Sequence, residues 1–231
     1  MNYFVTGTDT NVGKTLISCA LLHGFAAQGK RVIGMKPIAA GCNDTGQSDD
    51  VQQLRAASNV QFGIDTPGNK QINPYCFVPA VAPYLAAQLA GVDIDFARIA
   101  TAFTELAAQG DVVIVEGAGG LLVPLNAAQD SSDLMREMGL SVILVVGMRL
   151  GCQNHALLTV EAIAARGLTL AGWVANVTDV NMKMQDENIE ILRQRISAPL
   201  LGVVPFQLQP NARKVAALLD VHLLGTTKPH D

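Results

Sequence analysis

The stretch that most limits how this chain can fold is its beginning. Asn2 to Thr6 (NYFVT) reads as a short strand and runs into Gly7-Thr8-Asp9-Thr10-Asn11-Val12-Gly13-Lys14-Thr15. Leu16 to Gln28 then reads as a helix closed by Gly29. A glycine-bounded loop between strand and helix, ending in Gly-Lys-Thr, is the setting in which backbone amides converge on an anion. Gly7 and Gly13 let the main chain approach a ligand closely. The amides and the helix N-terminus favour a polyphosphate, Lys14 brings a point charge to it, and the Thr15 hydroxyl can complete a Mg²⁺ shell. One more residue separates the two glycines than in the common form of such loops. The strand before and the helix after argue against a turn that merely caps a helix.

The remaining chain alternates short apolar runs with helical patterns. Strands are predicted at 31–37, 112–116, 142–146, 170–177 and 200–204. Helices are predicted at 49–58, 83–90, 95–109, 132–138, 155–166 and 188–195. Residues 59–84, rich in proline and glycine, read as the longest irregular segment, and loops of that length are more often functional than idle. Continuous Val/Ile/Leu strands between helices predict an α/β fold of the P-loop NTPase type, a mostly parallel central sheet with helices on both faces. Ligands of such sheets sit outside the carboxyl ends of the strands. Residues 1–224 are expected to form a single domain and 225–231 a loose tail.

The strand ends are therefore where chemistry is sought. Lys36 closes the second strand, and on position alone it serves equally as a ligand-facing or a solvated lysine. Asp49 and Asp50 follow Ser48 at a helix start, where capping alone accounts for acidic residues. Val112 to Val115 lead into Glu116 and then Gly117-Ala118-Gly119-Gly120, the form of a strand whose terminal carboxylate meets Mg²⁺ or its water shell. Asn176 ends another strand, where its amide can read the edge of adenine or simply form a turn. Asn154 and His155 lie at a helix start and suggest capping rather than base catalysis.

Composition narrows the partners. Hydrophobic residues make up 49% and charged residues 16% of the 231, which predicts extra buried surface such as an oligomer interface. A net charge of −4 argues against nucleic acid or an anionic membrane as the main partner. The N-terminus does not read as an export signal and no apolar run is long enough to span a bilayer, so the expected location is cytoplasmic. Cys19, Cys42, Cys76 and Cys152 are widely separated without a CxxC pair and are predicted to be reduced thiols rather than disulfides or zinc ligands.

Taken together, GTDTNVGKT, KPIAAG, NPYCF with APYLAAQ, VEGAGG, LGCQNHALLT, LAGWVAN and APLLGVVP resemble the dethiobiotin synthetases, from Tyr3 to about Pro205. LGCQNHALLT followed by GWVAN is distinctive of that family, whereas the long P-loop and VEGAGG occur in related P-loop proteins. The resemblance implies a homodimer that uses Mg-ATP, CO₂ and 7,8-diaminopelargonate, with the substrate site near the interface. It implies Thr15, Asp49 and Glu116 around Mg²⁺, and Lys14 and Lys36 on the γ-phosphoryl and the carbamate. Asn11, Val12, Gly13, Leu16, Gly117, Ala118, Gly119, Asn176, Val177, Pro205, Phe206 and Gln207 would hold the nucleotide. Thr10, Ala40, Gly119 and the helix start at Leu150, Gly151, Cys152 and Asn154 would contact the substrate. Asn11, Ala40, Tyr84, Arg149 and Gln153 depart from the residues familiar at those positions, without removing a metal ligand or a phosphate lysine. Two other readings share the P-loop. An amidoligase of the cobyrinate type usually carries a glutaminase domain for which this chain is too short. A partition-type switch ATPase carries an early P-loop lysine, absent from Gly7-Thr8-Asp9-Thr10.

Overall fold

A computed structural model describes residues 1–60 and 68–225. The strands are β1 (Asn2–Gly7), β2 (Val32–Met35), β3 (Ile38–Ala40), β4 (Tyr75–Phe77), β5 (Val112–Glu116), β6 (Ser141–Met148), β7 (Leu170–Val177) and β8 (Leu200–Val204). The helices are α1 (Lys14–Ala27), α2 (Asp49–Ala57), α3 (Gly68–Ile72), α4 (Pro83–Leu89), α5 (Phe96–Ala107), α6 (Ser131–Glu137), α7 (Cys152–Ala165), α8 (Gln185–Arg195) and α9 (Ala212–Ala216), followed by a 3₁₀ turn at Val221–Gly225.

Six strands form one parallel sheet in the order β2-β5-β1-β6-β7-β8. Alternate residues of each strand point to opposite faces, and both faces are apolar. Tyr3, Val5, Ile143 and Val145 pack with Ile17, Leu21 and Phe25 of α1. On the other face Phe4 and Val113 pack with Ile99 and Phe103 of α5 and Leu134 of α6. Further along that face, Leu144 and Trp173 meet Ala156 of α7 and Leu192 of α8. Each large side chain buried in this way contributes about 1.5–3 kcal/mol.

Two helices begin earlier than the apolar periodicity indicates. Lys14 opens α1 and Cys152 opens α7, because Gly13 (φ 89°) and Gly151 (φ 93°) reach the left-handed conformation that lets each loop turn straight into its helix. The stretch 59–84 is also more ordered than its composition suggests, although 61–67 lie outside the described residues. Pro37 has no N–H for a ladder, and beyond it the chain leaves β2, so that β3 pairs in parallel with β4 as a separate two-stranded sheet. Asn73 pins this departure by donating from Nδ2 to the carbonyls of Lys36 (2.6 Å) and Tyr75 (2.9 Å).

This pairing overturns one expectation. Cys42 and Cys76, read as thiols from their spacing, form a disulfide. Ala39 stands opposite Cys76 in the small sheet and the Cys42 N–H donates to the Phe77 carbonyl at 2.9 Å, which brings the two Cα atoms to 6.1 Å. Cys19 and Cys152 are free and buried. Of the predicted tail, Gly225 belongs to the 3₁₀ turn and 226–231 lie outside the described residues.

Candidate active site

Register brings the strand-end residues together. Val5 faces Glu116 across β1 and β5, and Met35 faces Val115 across β2 and β5. Lys36, one residue past β2, therefore stands beside Glu116, and both stand beside the loop that leaves β1. Lys36 Nζ donates to Glu116 Oε1 at 2.5 Å and to Asp50 Oδ2 at 2.8 Å. Thr15 Oγ1 lies 2.9 Å from both Glu116 Oε1 and Asp50 Oδ1. Burial alone would lower the Lys36 pKa, but Glu116 and Asp50 outweigh it and hold it above the ordinary lysine value. Burial would likewise raise the Asp50 pKa, yet Lys36 and the Thr15 hydroxyl bring it below the usual carboxylate value.

The loop Gly7–Thr15 wraps this cluster. A Cβ on Gly13 would run into Asn176 Nδ2, so the close approach of β7 to the loop needs glycine there. Asn176 donates to the Val12 carbonyl at 2.8 Å, which fixes the loop from the β7 side. Lys14 Nζ rests on the Asp9 carbonyl at 3.0 Å. Burial first and the charge of Lys36 second lower its pKa to about 8, against the partial opposition of Glu116, Asp50 and Asp9.

Most of these residues line a cleft of about 860 Å³, whereas Asp9, Val12 and Asn176 stand outside its lining. On its loop side are Thr10, Asn11, Gly13, Lys14 and Thr15, and on its floor Lys36, Asp50 and Glu116. Ala40, Ala80 to Pro83, Ala118 to Gly120 and Val123 complete the walls. The wall at 80–83 and Val123 carried no chemical signal in the sequence. Asp50, not Asp49, is the carboxylate that reaches the cluster, and Asp49 is exposed. Successive helical residues point about 100° apart, so only one of two adjacent acids at the head of α2 can face β5.

Other expected residues lie elsewhere. Leu16 is half-buried on α1, and Val177 is buried at the end of β7. Pro205, Phe206 and Gln207 follow β8 on the far side of β7, outside the cleft lining. Leu150, Gly151, Cys152 and Asn154 do not border the cleft within one chain, and Leu150 is 95% exposed. Tyr84 borders a separate hollow of about 440 Å³ with Gln88, Asp93 and Asn126.

A divalent cation fits the donors present. Glu116 Oε2 is buried without a hydrogen-bond partner among the described residues, next to a carboxylate and a hydroxyl. No group of three His, Cys, Asp or Glu that could hold a metal occurs among the described residues.

A parallel sheet with this loop after its first strand and an acid at the end of the neighbouring strand defines a P-loop ATPase-type protein. A family model described as an AAA domain matches residues 1–213. The fold resembles the MinD cell division protein of Aquifex aeolicus (TM-score 0.58, 14% identity, covering 100% of this chain and 99% of that one). It also resembles a ParA family ATPase from Chlorobium tepidum (TM-score 0.55, 12% identity, 97% of each chain). Sequence similarity is far higher to the ATP-dependent dethiobiotin synthetase BioD of Nitrosospira multiformis, 53% over 223 residues and 96% of each chain. The protein of the same name from Aromatoleum aromaticum is 57% identical over 220 residues, covering 94% of this chain and 96% of that one. The chain belongs to the ATP-dependent dethiobiotin synthetase family, and it is an enzyme.

Proposed function

We propose that the cleft converts 7,8-diaminopelargonate, CO₂ and ATP to dethiobiotin, ADP and phosphate. The observation that carries this reading is the meeting of buried Lys36 and Glu116 with half-buried Asp50 and Thr15 at the mouth of the phosphate loop. One amine of the diamine captures CO₂ as a carbamate, a poor electrophile. Transfer of the γ-phosphoryl to the carbamate oxygen turns that oxygen into a leaving group, and the second amine closes the ring and expels phosphate. Lys36 offers its ammonium between the carbamate and the phosphoryl group, and Lys14 meets the phosphate chain. Both act as charges fixed in place before the reaction begins. Thr10 and the neighbouring 117–120 backbone would contact the substrate, a Cβ on Gly119 standing 3.9 Å from Thr10 Oγ1.

Thr15, Asp50 and Glu116 would hold Mg²⁺, which when bound neutralises charge on the phosphates. A homodimer accords with Leu150, 95% exposed, and Leu158, 57% exposed, at and along α7. In such a dimer the α7 N-terminus, free of a side-chain cap, would offer its amides to the substrate carboxylate from the partner subunit. No helix among the described residues is long and apolar enough to cross a membrane.

The test is phosphate release from Mg-ATP with and without the diamine and bicarbonate, with product identified by mass. Release that depends on the diamine and yields dethiobiotin supports the reading. Release indifferent to the diamine would sink it.

A further inference from the structure

Asp9 is held in three ways. Its Oδ1 accepts from the Thr10 N–H at 2.7 Å, its carbonyl accepts from Lys14 Nζ at 3.0 Å, and its Oδ2 takes the Arg149 guanidinium at 2.5 Å. Arg149 comes from 140 residues away. It stands just past β6 at the head of the turn into α7, where its carbonyl accepts from the Cys152 N–H at 3.0 Å. A second stitch joins the same two segments. The Thr8 N–H donates to the Val145 carbonyl at 3.0 Å, and the Gly147 N–H donates to Thr8 Oγ1 at 3.3 Å.

The side chains of Arg149 and Asp9 are 45% and 47% exposed, so the pair adds little to stability. Its location matters more. Asp9 is a carboxylate inside a loop built to receive a polyanion, and on its own it would repel the nucleotide. Arg149 neutralises it and at the same time fixes the residue whose carbonyl holds Lys14 and whose side chain holds the Thr10 amide.

We propose that Arg149 is a positioning residue of the ligase reaction, answering the Asp9 charge and thereby setting Thr10 and Lys14 for the nucleotide. This rests on the function proposed above. Arginine suits the role because its planar fork reaches Asp9 from a backbone already committed to the α7 turn.

The test is a double-mutant cycle on nucleotide affinity, read by calorimetry with a non-hydrolysable Mg-ATP analogue, alongside steady-state kinetics. Arg149→Met should weaken analogue binding and raise the KM for ATP about tenfold, the scale of one charged hydrogen bond, with the unfolding midpoint unchanged. Arg149→Lys should recover part of the loss. In an Asp9→Asn background, Arg149→Met should cost little more, because the carboxylate it answers is gone. A full tenfold loss persisting in that background would overturn the proposal, as would a single variant that binds like the wild type. The binding cycle needs no turnover. A wild-type protein that makes no dethiobiotin would therefore defeat the function reading while the cycle still decides the role of Arg149.

Discussion

Lys36 and Glu116 meet at 2.5 Å inside the protein, the ammonium side chain 6% exposed and the carboxylate 0%. Removing one member strands the other in a site with little water. Lys36→Met should lower the unfolding free energy by about 3–5 kcal/mol and abolish dethiobiotin formation. Adding Glu116→Gln should restore much of the stability and none of the activity. Urea titration and a product assay read the two effects separately, and a single variant as stable as the wild type would contradict the pairing.

The pKa of Lys14, lowered to about 8, makes nucleotide binding pH-dependent. Phosphate favours the ammonium, so binding raises this pKa and draws in a proton where the free enzyme is deprotonated. ATP affinity should fall as pH rises through about 8, with proton uptake on binding near pH 8–9. Calorimetry in buffers of different ionisation enthalpy measures that uptake. Proton release, or none, would count against it.

Adjacent acids at the head of α2 should behave differently. Asp50→Asn is expected to raise the Mg²⁺ concentration needed for half-maximal rate about tenfold or more, whereas Asp49→Asn should leave it near the wild-type value. A Mg²⁺ titration of both variants decides, and the reverse ranking would return the role to Asp49.

Reduction should weaken the small sheet. The Cys42–Cys76 bridge closes a loop with a sequence separation of 34, and its loss should cost about 3–4 kcal/mol in the chain-entropy picture. Denaturation of the wild type with and without dithiothreitol, and of Cys42→Ser, measures this. Coincident curves for all three would mean that the bridge contributes nothing.

Much of this architecture was legible because the signals are local. The loop Gly7–Thr15 is contiguous, and Lys36 and Glu116 each end an apolar run, so the sequence places them at strand ends and register does the rest. The choice between Asp49 and Asp50 was not legible, since it depends on the rotation of α2 rather than on residue type. Neither was the β3–β4 pairing, whose two three-residue strands lie among prolines and carry no periodicity. The disulfide followed from that pairing and was hidden with it. The Arg149–Asp9 contact joins residues that only the fold brings together.

Among the described residues the two-stranded sheet shares no ladder with the six-stranded one. One frame carries Lys14, Lys36 and Glu116, and the other bears Ala40 and leads, through β4, into the wall at 80–83. The two frames meet at Asn73, whose amide ties the Lys36 carbonyl to the Tyr75 carbonyl. A descendant of this chain, or a designer working on it, that reshapes the smaller frame therefore also moves the anchor of Lys36 unless Asn73 keeps both of its bonds.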